Sequence, residues 1–280
     1  MKCALRFFQV TLLSYFCRML ETSNNSIYKN GDKIKVGAVS YLNTKPLIYG
    51  FEQGMMDEQI DLVFDYPSNI ASQLVNNKID IGLVPVAVLP LMPQYHIITD
   101  YCIGCDGAVA SVCLFSDVPL QQIKTVLLDY QSRTSVALLK ILLKEHWNIA
   151  PILIPAEKDF EKNINGTTAG LVIGDRAFKQ IQVSKYHYDL GLAWQQFTGL
   201  PFVFAAWVSN KKLSDAFIND FNKATQLGLL HLAAIADNNQ INGFDMYNYY
   251  THYISYQLDE KKKEALEKFL KLLRLIPLNT

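Results

Sequence analysis

An α/β fold of two lobes around a cleft is predicted by three features of the chain. From Lys35 onward, short apolar runs with β-branched residues alternate with segments of helical periodicity. The alternation restarts near Pro119 as a second unit, and after Lys211 the chain turns helical and returns. Strand–helix alternation builds parallel sheets with right-handed crossovers, and clefts between lobes are preferred ligand sites. The division expected is 1–32, a non-essential leader or misassigned start; 33–116 plus 205–280, lobe 1; and 117–204, lobe 2.

Lobe 1 opens with a strand over 35–39, followed by Ser40-Tyr41-Leu42-Asn43-Thr44-Lys45-Pro46. Asn43 and Thr44 are suited to cap a helix, and Pro46 is tolerated in a first turn, where its missing N–H has no partner to lose. The helix is expected over 45–53. A strand at 60–64 leads to a helix at 69–77 capped by Ser68. The strand at 79–84 is almost wholly apolar, as one buried on both faces should be. Val84 and Pro85 end it at the same sheet edge as Asn43. A short irregular helix covers 88–92. Strands at 97–102 and 109–115 are joined by Gly104-Cys105-Asp106-Gly107, where Gly107 is free to adopt positive φ.

In lobe 2 a strand at 125–128 ends in the polar turn Asp129-Tyr130-Gln131-Ser132-Arg133-Thr134-Ser135. An apolar helix at 136–147 follows, then strands at 152–155 and 169–173, the second ending in Gly174-Asp175-Arg176. The return begins with a strand at 202–208. Ser214 caps a helix to about Ala236, and a last helix starts near Asp259. Its Leu266, Phe269, Leu270 and Leu273 form a stripe that docks on a core.

The chain has 280 residues, 26 basic and 26 acidic, and half are apolar. A balanced charge argues against a nucleic-acid binder held by a basic face. Five cysteines fall in no framework, and Cys102 and Cys105 form one C-x-x-C without a second pair. They read as reduced thiols of a cytoplasmic protein. The apolar run 7–16 is too short to span a membrane. The five histidines include no H-x-x-x-H pair, and there is no G-x-S-x-G elbow, Walker loop or dinucleotide fingerprint.

What remains is a set of strand-end turns rich in neutral donors: Ser40, Asn43, Thr44, Ser111, Ser132, Thr134 and Ser135, with Arg133 beside them. Such turns lie where open α/β sheets bind ligands, and a helix N-terminus favours an anion. The Ser132–Ser135 turn taken alone reads first as helix capping, with a carboxylate cradle as the alternative. Arg133 is either a bidentate carboxylate partner or an anchor to the other lobe. Asp175-Arg176 also suits an internal ion pair.

Six segments in order carry a more specific signal: 40–46, 82–86, 106–112, 128–135, 172–175, and 189–191 with Trp194 and 198–205. Together they resemble the chorismate dehydratase family of the futalosine route to menaquinone, and they span most of 33–209. Cys105 and Ala110 depart from that pattern, which has a small polar and a longer residue there. The resemblance implies a fold like type II periplasmic binding proteins. It implies a hydro-lyase that converts chorismate to 3-[(1-carboxyvinyl)oxy]benzoate and water, with no cofactor, no metal and no nucleic-acid partner. Asn43 and Ser111 become the expected catalytic residues. Ser40, Tyr41, Thr44, Val84, Pro85, Gly107, Ser132, Arg133, Thr134, Ser135 and Asp175 become the expected substrate-binding set. The base is either the substrate's own enolpyruvyl carboxylate, or Asp106 or Asp175. Two other readings share the fold: a solute-binding protein without chemistry, and the sister enzyme that makes a dihydroxynaphthoate.

Overall fold

The computed structural model describes residues 33–276, so the leader expected at 1–32 lies outside the described residues. Strands β1 (Ile34–Ala38), β2 (Ile60–Phe64), β3 (Ile81–Pro85), β4 (His96–Cys105), β5 (Val112–Ser116), β6 (Thr125–Leu128), β7 (Ile152–Pro155), β8 (Thr168–Ile173), β9 (Tyr186–Asp189), β10 (Phe202–Ser209) and β11 (Ser255–Gln257) form two sheets. The first has the order β11-β4-β10-β3-β1-β2, the second β7-β6-β8-β5-β9. In each, some strands pair in parallel and one strand lies antiparallel to both its neighbours: β10, which returns late in the chain, between β3 and β4, and β5, the first strand of its sheet, between β8 and β9. Every residue of β3 and β5 is buried, consistent with their almost unbroken apolar sequences.

Sheet membership corrects two expectations. The strands around Gly104–Gly107 are not partners: β4 belongs to the first sheet and β5 to the second. The chain therefore crosses between lobes at 106–111, ahead of the 116/117 boundary, and returns between Thr198 and Phe202, ahead of 204/205. The physical reason lies in the crossing itself. Gly107 at φ 105° and Ala110 at φ 60° turn the backbone out of the plane a hairpin would keep.

Helices α1 (Lys45–Glu52), α2 (Pro67–Val75), α3 (Arg133–Ile141), α4 (Asp175–Val183), α5 (Leu190–Thr198), α6 (Asp215–Leu229) and α7 (Glu260–Leu273) cover the sheets, with shorter helical turns between them. Several boundaries differ from expectation. Pro67 takes the first position of α2, so Ser68 sits inside the first turn rather than capping it. Thr44 caps nothing, because a 3₁₀ turn at Leu42–Thr44 runs straight into α1 and leaves Thr44 in helical backbone. The helix expected at 136–147 begins at Arg133 and widens into a π turn at Leu142–His146. The helix from Ser214 breaks after Leu229. Leu266, Phe269 and Leu273 of α7 are buried as expected. Phe269 packs on Phe202 and Trp194, with ring centroids 5.1 and 6.3 Å away, where the chain re-enters the first sheet. Cys102, Cys105 and Cys113 are buried and unlinked. Among the described residues no helix is long and apolar enough to cross a membrane.

α1 is held at close range by α6. A Cβ at Gly228 would come within 1.9 Å of the Pro46 carbonyl oxygen, and one at Gly50 within 2.1 Å of that of Ala224. The two glycines let the backbones touch, and α1 carries the turn that presents Asn43. Gly228→Ala should destabilise the protein by about 1–3 kcal/mol through overpacking against rigid backbone. Thermal unfolding should show a fall in Tm of several degrees; an unchanged Tm would contradict this packing.

Candidate functional site

Two hollows lie between the lobes. The smaller, about 60 Å³, is lined by Tyr41, Asn43, Ser111, Ser132 and Ser135, with an apolar wall that includes Val39, Pro67, Leu83, Pro85, Ile103 and Phe204. The larger, about 510 Å³, is lined by Ser68, Asp129, Tyr130, Arg133, Lys140 and apolar residues, and meets the smaller at Ser132. The smaller is the candidate site because polar side chains from both lobes converge on it. Its donors are all neutral.

Hydrogen bonds across the cleft fix its walls. The Tyr41 hydroxyl donates to Gln131 Oε1. The Leu42 N–H donates to Asp175 Oδ1 at 3.3 Å, and the Ala87 N–H donates to Thr134 Oγ1 at 3.1 Å. The turn after β1 is thus tied to the turns after β6 and β8, which is what strand-end turns of two facing sheets can do. Gly174, at φ 63°, lets the chain pass the Tyr41 ring, to which a Cβ there would lie 3.6 Å away. Its N–H donates to the Ser111 carbonyl at 2.8 Å.

Ser111 is fully buried, and its Oγ accepts a 2.7 Å hydrogen bond from the Tyr249 hydroxyl. The Asn43 carbonyl accepts from Tyr256 at 3.0 Å, and its Oδ1 accepts from Thr44 Oγ1 at 3.4 Å. On the facing lobe, Ser132 Oγ caps α3 by accepting from the Ser135 N–H at 3.1 Å, and donates to Ser135 Oγ at 2.9 Å. This turn caps its helix and lines the cavity at once, so the two readings of it are compatible.

Behind the Gln131 turn lies a buried ionic cluster. Asp129 Oδ2 accepts from Arg176 Nη2 at 2.6 Å and from the Ile173 N–H at 3.3 Å, while Oδ1 accepts from the Gln131 N–H at 2.8 Å. Arg176 also reaches Gln131 Oε1 at 2.8 Å and Glu161 at 2.8 Å. Burial pushes the Asp129 carboxyl up to about 6, against the downward pull of Arg176 and the two N–H groups. Burial first, and the Asp129 charge second, also hold the Tyr41 phenol protonated. Burial raises Asp175 as well, partly offset by the Leu42 N–H and Arg176.

Of the expected residues, Tyr41, Asn43, Pro85, Ser111, Ser132 and Ser135 line the cavity. The rest do not. Ser40 is exposed, and Val84 is buried within β3. Thr44 is buried beside Asn43, and Thr134 is spent on the Ala87 N–H. Gly107 turns the crossing segment, and Asp175 holds the Leu42 N–H. Arg133 is exposed and lines the larger hollow, because the first turn of α3 points Ser132 and Ser135 one way and Arg133 another. Asp106 is exposed and accepts from Gln195 at 2.8 Å. Gln131, Tyr249 and Tyr256 escaped the sequence reading. Gln131 stood inside a recognised turn; the tyrosines lie far along the chain in no motif.

Two lobes on central sheets, with a polar cavity between strand-end turns, define a protein of the periplasmic-binding-protein fold. An Archaeoglobus fulgidus protein of solved structure superposes with a TM-score of 0.67 at 16% identity, over 88% of this chain and 98% of that one. The periplasmic aliphatic sulphonate-binding protein of Escherichia coli does so at 0.55 and 14% identity, over 88% and 94%. Residues 34–274 match the family described as menaquinone biosynthesis, and the chain belongs to that family. A chorismate dehydratase of Thermus thermophilus is 27% identical over 226 residues, 72% of this chain and 80% of its own.

The Asp129 cluster predicts a pH dependence. The folded carboxyl binds its proton at higher pH than the unfolded one, at the ordinary 3.8. Its protonated form therefore favours the fold, and that contribution is full below about pH 4 and lost as pH rises through about 6. Compared with Asp129→Asn, the wild type should lose Tm between pH 4 and 6.5 and run level above. A wild type that gains on the variant across that window would contradict the shift.

Proposed function

We propose that this protein is a chorismate dehydratase, a hydro-lyase that forms 3-[(1-carboxyvinyl)oxy]benzoate and water from chorismate. The observation that carries the reading is the convergence of Asn43 and Ser111 on one cavity wall, opposite the Ser132–Ser135 turn. The similarity to the Thermus thermophilus chorismate dehydratase supports the substrate.

Chorismate carries two carboxylates, and the chemistry removes the proton at ring C3 and the hydroxyl at C4. Losing the proton leaves a pair of electrons that delocalises towards the ring carboxylate. Donors already aimed at that carboxylate stabilise the charge as it grows, and this differential binding is what lowers the barrier. The Ser132–Ser135 turn at the N-terminus of α3 takes this role. Asn43 and Ser111 orient the ether side and the departing hydroxyl. Expulsion of that hydroxyl restores electron balance and completes the aromatic ring, so no cofactor enters.

The proton goes to the enolpyruvyl carboxylate, tethered through oxygen to the carbon that loses it, and from there to the departing hydroxyl, which leaves as water and restores the carboxylate. Holding the tether in one conformer makes the transfer intramolecular, where effective molarities are high. The two rival bases are turned elsewhere: Asp106 to Gln195, and Asp175 to the Leu42 N–H. At about 60 Å³ the cavity is smaller than the roughly 300–1,000 Å³ of sites that enclose drug-sized ligands. Chorismate therefore enters as the lobes part, by way of the larger hollow, where Arg133 attracts its charge.

Purified protein given chorismate should yield an aromatic product lighter by one water, seen by proton NMR and mass spectrometry. Asn43→Ala should lower kcat about 10²–10³-fold, the usual effect of losing one oriented donor, while Asp106→Asn keeps wild-type turnover. A stable complex without product would overturn the reading. Abolished turnover with intact binding in Asp175→Asn would move the base to that residue.

A further inference from the structure

We infer that Tyr249 is a positioning residue for this reaction, fixing through its hydroxyl the orientation of Ser111. The inference rests on the chorismate dehydratase reading of the cavity and extends it to a residue outside every motif of the sequence.

A tyrosine hydroxyl has a single hydrogen to donate and lone pairs to accept with. That hydrogen is committed to Ser111 Oγ, 2.7 Å away in a fully buried setting. Ser111 Oγ, having accepted from Tyr249, turns its own hydrogen to another acceptor, and Ser111 lines the cavity. A cavity donor is thus set by a phenol that does not itself line the cavity.

The ring is placed to do this rigidly. Tyr249 is buried, edge-on to Phe178 with centroids 5.0 Å apart, and packed against Phe244 and Tyr250 at 5.8 and 5.6 Å. Burial holds the phenol protonated, with the Asp175 charge adding to the effect, so the hydrogen stays on the donor at any working pH. Tyr256, seven residues on, holds the Asn43 carbonyl at 3.0 Å. The pair reaches back 138 and 213 residues to Ser111 and Asn43.

Tyr249→Phe removes the hydroxyl and keeps the ring. Steady-state kinetics on chorismate should show kcat lowered about tenfold or more, for donors that act on charge formed in the transition state, with KM within about threefold. A purely structural role predicts the reverse: a lower Tm with kcat intact. Coupling provides the sharper readout. In the Ser111→Ala background the same change should cost markedly less than it does in the wild type, because the two act as a unit. Full additivity, or wild-type kcat in folded Tyr249→Phe, overturns the inference. Should that variant fail to fold, 3-fluorotyrosine at position 249 keeps shape and hydroxyl while altering its acidity; kcat should move with KM and Tm unchanged, and an unmoved kcat overturns it. Wild-type protein that leaves chorismate untouched overturns the underlying reading, and this inference with it.

Discussion

The Asp189 carboxylate is the fixed point between the two lobes. It ends β9, caps α5 through the Leu192 N–H at 3.0 Å, and accepts from the Val109 and Ala110 N–H groups at 3.0 and 2.7 Å. Those last two residues belong to the outgoing crossing, and α5 leads directly into the return. One buried acceptor therefore ties both crossings together, and the N–H groups around it pull its pKa down against the upward push of burial. Next to it the backbones nearly touch: a Cβ at Gly191 would lie 2.6 Å from the Gly107 carbonyl oxygen. Ala110, in the left-handed region, owes its conformation to these bonds. Ser111 comes next in the chain, so its place in the cavity depends on a carboxylate that never faces the cavity.

The same logic explains which parts were legible in the sequence. Strand–helix alternation is local, and it led to the parallel strands, the helix start at α1, and the polar turns after β1 and β6. Sheet membership is not local. Runs 97–102 and 109–115 look like a hairpin because nothing in their composition reports the positive φ at Ala110, a residue with no intrinsic preference for it. Helices α4 and α5 were not among the elements expected from the sequence. Of the candidate site, Asn43, Ser111 and the Ser132–Ser135 turn were readable as donors at strand ends. Arg133 was not placed correctly, since a spacing of one residue on a helix changes the face by about 100°. Tyr249 and Tyr256 had no local signature at all. A tyrosine that packs as core and also delivers a hydroxyl to a distant serine is indistinguishable in sequence from one that only packs.

The cavity is set apart by its lack of cations. Arg176, which reaches Gln131 behind the Tyr41 hydroxyl, is consumed by Asp129 and Glu161. Carboxylates facing this cavity would meet hydroxyls, an amide and a helix N-terminus, all held by second partners. Donors that are already oriented reorganise little as charge moves, which suits a reaction whose charge shifts within the substrate. A lysine in the same place would hold substrate and transition state with more nearly equal force.

The central claim is that substrate lies in the small cavity between Asn43, Ser111 and the Ser132–Ser135 turn. A crystal structure of Asn43→Ala, slowed enough to retain chorismate, tests it most directly. The account predicts ring and carboxylate density in that cavity, with the ring carboxylate at the N-terminus of α3 and the C4 hydroxyl towards Ser111. Density confined to the larger hollow beside Arg133 and Lys140, with the small cavity empty, would contradict it.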